Sequence, residues 1–225
     1  MINLEVYKKL NYLNNPKNEK VQLVAVSKIQ PIESIQALYN EGHRHFGENY
    51  VQELLSKKEV LPNDICWHFI GHLQTNKVKY IAPFVYLIHG VDSFKLLKEI
   101  NKEAQKNNRL INCLLQIHIA TEDTKFGFSF DEVQQLLSNK AFSELKHICV
   151  QGVMGMASFI DDKQQVEQEF NNLYQVYTFL QQHTSFNCKP TIASFGMSGD
   201  YDLAVSCNSN MIRVGSMLFG ERIKK

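Results

Sequence analysis

The chain has no long hydrophobic run. Residues 1–9 of its 225 residues lack the apolar core of a signal peptide. The longest apolar stretch, residues 81–88, is interrupted by Pro83 and is far shorter than the ~20 residues that cross a bilayer. These absences argue against a membrane protein and predict a cytoplasmic location.

An excess of one charge and a set of paired cysteines are also missing. The 24 basic and 23 acidic residues give a net charge of +1, and the basic residues are scattered. This balance offers no electrostatic reason to bind nucleic acid or a membrane surface. The five cysteines form no C-x-x-C pair, and their odd number argues against a disulfide framework, so we expect buried thiols. The sequence has no P-loop and no dinucleotide-binding G-x-G-x-x-G.

Short apolar segments instead alternate with amphipathic segments along the whole chain. The predicted strands lie at residues 24–28, 44–47, 66–71, 84–90, 110–119, 147–152, 191–195 and 211–214. The predicted helices lie at residues 31–41, 49–57, 74–80, 93–106, 130–138, 163–182 and 200–206, with an extra N-terminal helix at 4–13 and a final turn near 218–222. Eight such α/β units favour a (β/α)8 TIM-like barrel, formed as a single domain over residues 1–225. An open doubly wound sheet is the alternative.

The first predicted strand ends on a lysine. Strand alternation puts Val24, Val26 and Lys28 on one face, and if that face lines a barrel, Lys28 lies at its mouth. An unperturbed lysine has a pKa of about 10.4 and is a poor nucleophile at neutral pH. Desolvation or a nearby cation lowers that pKa and suits the amine to Schiff-base chemistry. For a lone lysine, a buried ion pair is the simpler interpretation.

Two glycine-containing loops follow the last two predicted strands. One loop contains Ser198 and Asp200, and the other contains Gly215 and Ser216. Barrel enzymes often bind phosphate at these loops, where glycine lets the backbone approach an anion and helix N–H groups favour it. The alternative is that Ser198 and Asp200 only cap a helix.

Arg213 lies on the eighth predicted strand and alternates with Ile212 and Val214, so it points into the barrel if they point outward. A buried guanidinium needs a carboxylate or a ligand acceptor, and Glu48 is a possible structural partner. A lysine, a phosphate site and a buried arginine together match what pyridoxal 5′-phosphate requires. The aldehyde needs the lysine, the phosphate needs the loops, and the ring nitrogen needs a polar partner.

Six sequence blocks carry a family resemblance. They are AVSK at residues 25–28, FGENYVQE at 46–53, WHFIGHLQTNK at 67–77, GVMGM at 152–156, GMSGD at 196–200 and IRVGS at 212–216. In their order and spacing the chain resembles the pyridoxal phosphate homeostasis protein family over nearly its whole length. The resemblance implies a fold-type III barrel similar to the N-terminal domain of alanine racemase. One departure is Ile29-Gln30, where the family more often has a threonine and a lysine.

The resemblance also implies a set of cofactor-binding residues. They are Lys28, Asn49, Met156, Ser198, Arg213, Gly215 and Ser216. By this resemblance Lys28 carries the cofactor as a Schiff base, the last two loops hold the phosphate, and Arg213 faces the pyridine nitrogen. Asn49 and Met156 would border the ring. Because arginine does not give up a proton to that nitrogen, the ring stays a weak electron sink.

These expectations favour a carrier that takes part in pyridoxal phosphate homeostasis, with apo-enzymes that use the cofactor as possible partners. The chain ends at Lys225, which leaves no room for the second domain that gives alanine racemase its catalytic tyrosine. We therefore expect no catalytic residue and, without a named partner surface, a monomer.

Three other interpretations are open. A small racemase or decarboxylase would use the cofactor on Lys28 with another acid or base such as His72. An aldolase-like barrel would form a Schiff base with a phosphorylated substrate and need no cofactor. A zinc site at His68 and His72 is disfavoured, since the two lie on a strand and its following loop, and no metal is expected. His68 and Trp67 are better explained by packing and hydrogen bonding.

Overall fold

The computed structural model describes residues 2–120 and 126–220. Its eight strands are parallel and form one closed barrel in the order β1 to β8. Strand β1 pairs with both β2 and β8, which closes the sheet. The predicted (β/α)8 barrel is confirmed, and the alternative of an open sheet is wrong.

The strands are β1 (Gln22–Val26), β2 (His45–Glu48), β3 (Cys66–Phe69), β4 (Leu87–Val91), β5 (Ile111–Gln116), β6 (Ile148–Met154), β7 (Cys188–Ser194) and β8 (Met211–Val214). The helices are α1 (Leu4–Asn11), α2 (Ile32–Asn40), α3 (Val51–Val60), α4 (Val78–Ile81), α5 (Phe94–Lys106), α6 (Phe130–Ser138), α7 (Lys140–Ser143), α8 (Lys163–Gln182), α9 (Tyr201–Ser206) and α10 (Ser216–Phe219). A 3₁₀ turn at Thr75–Lys77 precedes α4.

Apolar side chains pack on both faces of the barrel. The interior cluster contains Val24, Leu87, Leu114, Met154 and Met211. A larger cluster fills the space between the strands and the helices, and alternate residues of β1 belong to it. This alternation confirms the prediction that Val24 faces the interior. Because all strands run the same way, their carboxyl ends open at one end of the barrel, which we call the mouth.

Local sequence signals account for the helices that were predicted most closely. The span of α8 equals the predicted 163–182, and its N-cap Asp162 accepts hydrogen bonds from the first helical turn. The span of α6 is also as predicted, and Ser129 and Glu132 form a capping box there. Helix α5 begins after Ser93, whose hydroxyl accepts from Leu96 N at 3.3 Å.

Other boundaries differ from the prediction. Strand β1 ends at Val26, so Lys28 lies in a turn beyond the strand and not on it. Beyond the strand, Ile29 has a φ of 65°, which bends the chain away from the sheet. Helix α7 was not predicted. The final turn occurs earlier, as α10, and residues 221–222 of the predicted turn lie outside the described residues.

At Gly152 the backbones of β6 and β7 lie close together. Its φ is +143°, and a Cβ there would lie 1.8 Å from the Ile192 carbonyl oxygen. The register between the two strands shifts next to it. Only glycine fits this position, because any side chain would overlap the backbone of β7.

All five cysteines are free thiols, and four of them are buried, as expected. Within residues 2–120 and 126–220, no helix combines the length and apolar character needed to cross a membrane.

Candidate functional site

Lys28 is half-buried in a turn at the mouth. The turn is closed by a hydrogen bond of 3.0 Å from Gln30 N to the Ser27 carbonyl, so Lys28 and Ile29 are its central residues. The positive φ of Ile29 resembles a type II turn, which usually has glycine at this point. The prediction that Lys28 lies at the mouth is confirmed, although it is held by a turn and not by the strand.

A buried charged cluster lies against this turn. Lys57 Nζ donates to Glu48 Oε1 at 2.8 Å, to Glu53 Oε1 at 2.6 Å and to the Ser27 carbonyl at 2.7 Å. Ser27 Oγ donates to Glu48 Oε1 at 2.6 Å, and Ile29 N donates to Glu53 Oε1 at 2.5 Å. This cluster was not predicted from the sequence. The four-residue spacing of Glu53 and Lys57 on a predicted helix was the available signal.

Glu48 was expected as a possible partner of Arg213, and that expectation is wrong. Its carboxylate pairs with Lys57 and Ser27 at the end of β2. Burial raises the pKa of Glu48, and the neighbouring Lys57 opposes this effect. Glu48 Oε2 has no hydrogen-bond partner in the described part of the chain.

Arg213 points into the barrel, as predicted. Its guanidinium donates to the carbonyl and the hydroxyl of Ser194, both at 2.8 Å, and to the Gly155 carbonyl at 2.9 Å. Among the described residues these contacts use three of the five guanidinium N–H donors. Burial lowers the pKa of Arg213 to about 10, so the group stays charged at neutral pH.

Three histidines inside the barrel form a chain of close ring contacts that leads to the Ser194 hydroxyl. His45 Nδ1 lies 2.9 Å from His68 Nε2, and His68 Nδ1 lies 2.8 Å from His89 Nε2. His89 Nδ1 lies 3.4 Å from the Ser194 hydroxyl that accepts from Arg213. Burial lowers the pKa of each histidine, which favours neutral rings. The hydrogen-bonding role predicted for His68 is confirmed.

Roles for His45 and His89 were not predicted from the sequence. Their signal was the recurrence of a histidine on three consecutive strands, β2, β3 and β4. In the described part of the chain, no group of three or more His, Cys, Asp or Glu side chains is arranged to hold a metal ion. His72 Nδ1 lies 3.1 Å from Asp92 Oδ2, and its ring stacks on Phe126 at the mouth.

The loops after β7 and β8 contact each other. Ser198 Oγ accepts a hydrogen bond of 3.3 Å from Gly215 N. Asp200 is the N-cap residue of α9, but its carboxylate accepts from Met197 N at 2.5 Å and makes no side-chain cap hydrogen bond to the helix. Ser216 begins α10, whose N-cap residue Gly215 supplies no side-chain cap. The loops therefore combine a hydroxyl with a helix start whose N–H groups have no side-chain cap.

Asn49 and Met156 also lie in loops at the mouth. Asn49 follows β2 and packs closely against Gly71, where an added Cβ would lie 2.3 Å from the Asn49 carbonyl oxygen. Met156 follows β6 and packs against the interior cluster. All seven predicted residues are thus at or just beyond the carboxyl ends of strands, and Ser198 and Gly215 are in direct contact.

Comparisons with known proteins agree with this architecture. The family model for the alanine racemase N-terminal domain matches residues 6–223. The pyridoxal phosphate homeostasis protein of Aquifex aeolicus is 38% identical over 202 residues, covering 89% of this chain and 87% of that protein. The protein of the same name from Schizosaccharomyces pombe is 37% identical over 205 residues, covering 90% of this chain and 84% of that protein.

A solved structure is similar as well. PipY of Synechococcus elongatus, described with pyridoxal phosphate bound, is 32% identical with a TM-score of 0.84, covering 96% of this chain and 99% of that chain. The closed barrel, the match over residues 6–223 and these identities together show that the chain belongs to the pyridoxal phosphate homeostasis protein family, within the alanine racemase N-terminal domain family.

Proposed function

We propose that this protein binds pyridoxal 5′-phosphate at the barrel mouth, covalently through Lys28, and takes part in homeostasis of the cofactor. The observation that carries the proposal is that a relative covering 96% of this chain is described with pyridoxal phosphate bound. The names of the relatives from Aquifex aeolicus and Schizosaccharomyces pombe support the homeostasis role.

The residues at the mouth fit the chemical groups of this cofactor. The Ser198 hydroxyl and the uncapped start of α10 at Ser216 suit a phosphate, since both can donate hydrogen bonds to an anion. Gly215 packs closely on the end of β1, because a Cβ there would come within 3.1 Å of the Val26 carbonyl oxygen. Lys28 supplies the primary amine with which the aldehyde can form a Schiff base.

When bound, the cofactor supplies an aldehyde carbon that the unprotonated Lys28 amine can attack, and loss of one water leaves a C=N bond to Nζ. Arg213 would donate a hydrogen bond to the ring nitrogen. Since Arg213 is charged at neutral pH and keeps its proton, the ring nitrogen would stay unprotonated. This arrangement weakens carbanion stabilisation and favours holding the cofactor over using it in catalysis.

We further propose that the protein acts as a carrier, which buffers the aldehyde or delivers it to apo-enzymes, and that it is not itself an enzyme. The names of the relatives describe homeostasis and not a reaction, which supports this choice. The single domain, the monomeric state and the cytoplasmic location stay predictions.

The spectrum of the purified protein tests the covalent site. Loaded protein should show a visible absorption band that borohydride abolishes, and peptide mapping should then find the reduced label on Lys28. Lys28→Ala should lose the band, whereas Lys146→Ala, an exposed lysine before β6 at the opposite end of the barrel, should keep it. A band that survives in Lys28→Ala would refute the assignment, and a colourless protein after incubation with the cofactor would favour the aldolase-like interpretation.

A racemase or decarboxylase is the second candidate, because His72 and Asp92 form a contact of 3.1 Å at the mouth. This pair could serve as an acid or base. Incubation of loaded protein with single amino-acid enantiomers separates the candidates. Turnover above that of the free cofactor, lost in His72→Gln, would contradict the carrier.

A further inference from the structure

The turn that carries Lys28 contains a residue in an unfavourable backbone conformation. Ile29 has a φ of 65°, in the left-handed region that glycine adopts readily and β-branched residues avoid. Its side chain is 56% exposed, so burial of the isoleucine does not hold it there. Such conformations persist only where surrounding contacts enforce them.

The enforcing contacts come from both sides of Lys28. On one side, Ser27 is fixed through its N–H to the Gly47 carbonyl at 3.0 Å, its hydroxyl to Glu48, and its carbonyl to Lys57. On the other side, Ile29 N donates to Glu53 Oε1 at 2.5 Å. The backbone on either side of the lysine is therefore tied to the end of β2 and to α3.

Glu53 is itself held rigidly. The same Oε1 that accepts from Ile29 N also accepts from Lys57 Nζ at 2.6 Å. The three N–H donors of Lys57 are all used, by Glu53, Glu48 and the Ser27 carbonyl. The Lys57 side chain is only 5% exposed. An ordinary Glu–Lys pair on a helix surface is solvated and adds little to stability. This pair instead joins the Lys28 turn, the end of β2 and α3.

We propose that Glu53 is a positioning residue for Lys28. By accepting the Ile29 N–H, it holds the turn in its observed conformation and so fixes the backbone from which the Lys28 amine reaches the aldehyde. The amine then loses little conformational freedom when the C=N bond forms, which strengthens covalent retention of the cofactor. This inference rests on the proposed role of Lys28.

Two conservative variants separate reach from charge. Glu53→Asp keeps the carboxylate but is one methylene too short to reach Ile29 N, while Glu53→Gln keeps the reach and an accepting oxygen but loses the charge. The matched control is Glu103→Asp on α5. It shortens the acidic side chain of another Glu–Lys pair, in which Glu103 Oε1 lies 2.6 Å from Lys106 Nζ and the Glu103 side chain is 7% exposed.

Two ligands separate positioning of the lysine from damage to the site. Pyridoxal 5′-phosphate can form the C=N bond, whereas pyridoxine 5′-phosphate has an alcohol in place of the aldehyde and cannot. We expect Glu53→Asp to weaken binding of the aldehyde about tenfold and to leave binding of the alcohol within about twofold. Glu53→Gln should stay within about threefold of the unmodified protein for both ligands, and Glu103→Asp should change neither.

Each other outcome overturns the inference. Equal losses for both ligands in Glu53→Asp would indicate a structural role only, and no loss would show that Glu53 does not position Lys28. A loss in Glu53→Gln as large as in Glu53→Asp would show that the charge of Glu53 is needed as well as its reach, which positioning through the Ile29 N–H alone does not predict. If borohydride labels no lysine, or a different one, in the unmodified protein, the proposed function itself fails, and that result is seen without any variant.

Discussion

Acid should destabilise this protein through buried histidines, and His43 allows the effect to be calculated. His43 is 4% exposed, donates from Nε2 to the His45 carbonyl at 2.8 Å, and contacts the rings of Tyr7 and Phe46 edge-on. Burial lowers its pKa from the ordinary value of 6.5 to about 4. Protonation of this buried ring would place a positive charge out of contact with water, which is unfavourable.

The sign and size follow from proton linkage. Between pH 6.5 and about 4 the unfolded chain binds a proton at His43 that the folded protein does not. The stability contribution is therefore fully present above pH 6.5 and falls as the pH decreases toward 4. These two pKa values give a loss of ~2 kcal/mol between about pH 7.5 and pH 5 from this single group.

Urea unfolding at these two pH values measures the effect. Trp67, the one tryptophan, is 3% exposed and reports the transition by fluorescence. His43→Gln keeps a donor near the position of Nε2 but does not titrate. Between about pH 7.5 and pH 5, the free energy of unfolding of His43→Gln should fall by ~2 kcal/mol less than that of the unmodified protein. His183→Gln, at an exposed position after α8, serves as control.

A difference below ~0.5 kcal/mol between His43→Gln and the unmodified protein would refute the reasoning, since it would mean that His43 titrates alike in both states. The interior histidines, whose pKa values are also lowered, should make the total acid loss of the unmodified protein larger.

Two further predictions concern the barrel itself. Gly152→Ala places a Cβ 1.8 Å from the Ile192 carbonyl oxygen. It should lower the free energy of unfolding by more than ~4 kcal/mol or prevent folding, as judged by urea unfolding and soluble yield. The control Gly199→Ala meets no atom within 4 Å and should be nearly neutral. Equal stability of the two variants would contradict the close approach of β6 and β7. Ser209→Ala removes a buried hydroxyl that lies 2.7 Å from the Phe195 carbonyl oxygen and should lower the unfolding free energy by ~1–3 kcal/mol, and an unchanged urea midpoint would show that this contact contributes nothing.

Much of the site could be predicted from residues close together in the chain. The inward direction of Arg213 follows from strand alternation, because Ile212 and Val214 must face the helices. The two loops with Ser198 and Gly215 follow from the barrel topology, which brings the ends of β7 and β8 together. Residue pattern and family resemblance were enough for these assignments.

The partners of the charged groups could not be predicted in this way. Glu48 was considered as a partner for Arg213, yet it pairs with Lys57, and the oxygens around Arg213 come from Ser194 and Gly155. Charge alone makes many pairings possible, and the packing of strands and helices, here of α3 on the end of β2, selects among them. Backbone carbonyls such as that of Gly155 carry no sequence signal at all.

The order of residues along the chain was enough to predict the alternation of strands and helices, the barrel and the place of Lys28 at its mouth. How Lys28 is held depends on the packed fold: it lies in a turn where Ile29 has a φ of 65° and donates its N–H to Glu53, which comes nearly a full βα unit later in the chain. The physical reason is that this conformation is unfavourable for isoleucine in isolation, so local preference argues against it. Contacts between distant segments were needed to impose it.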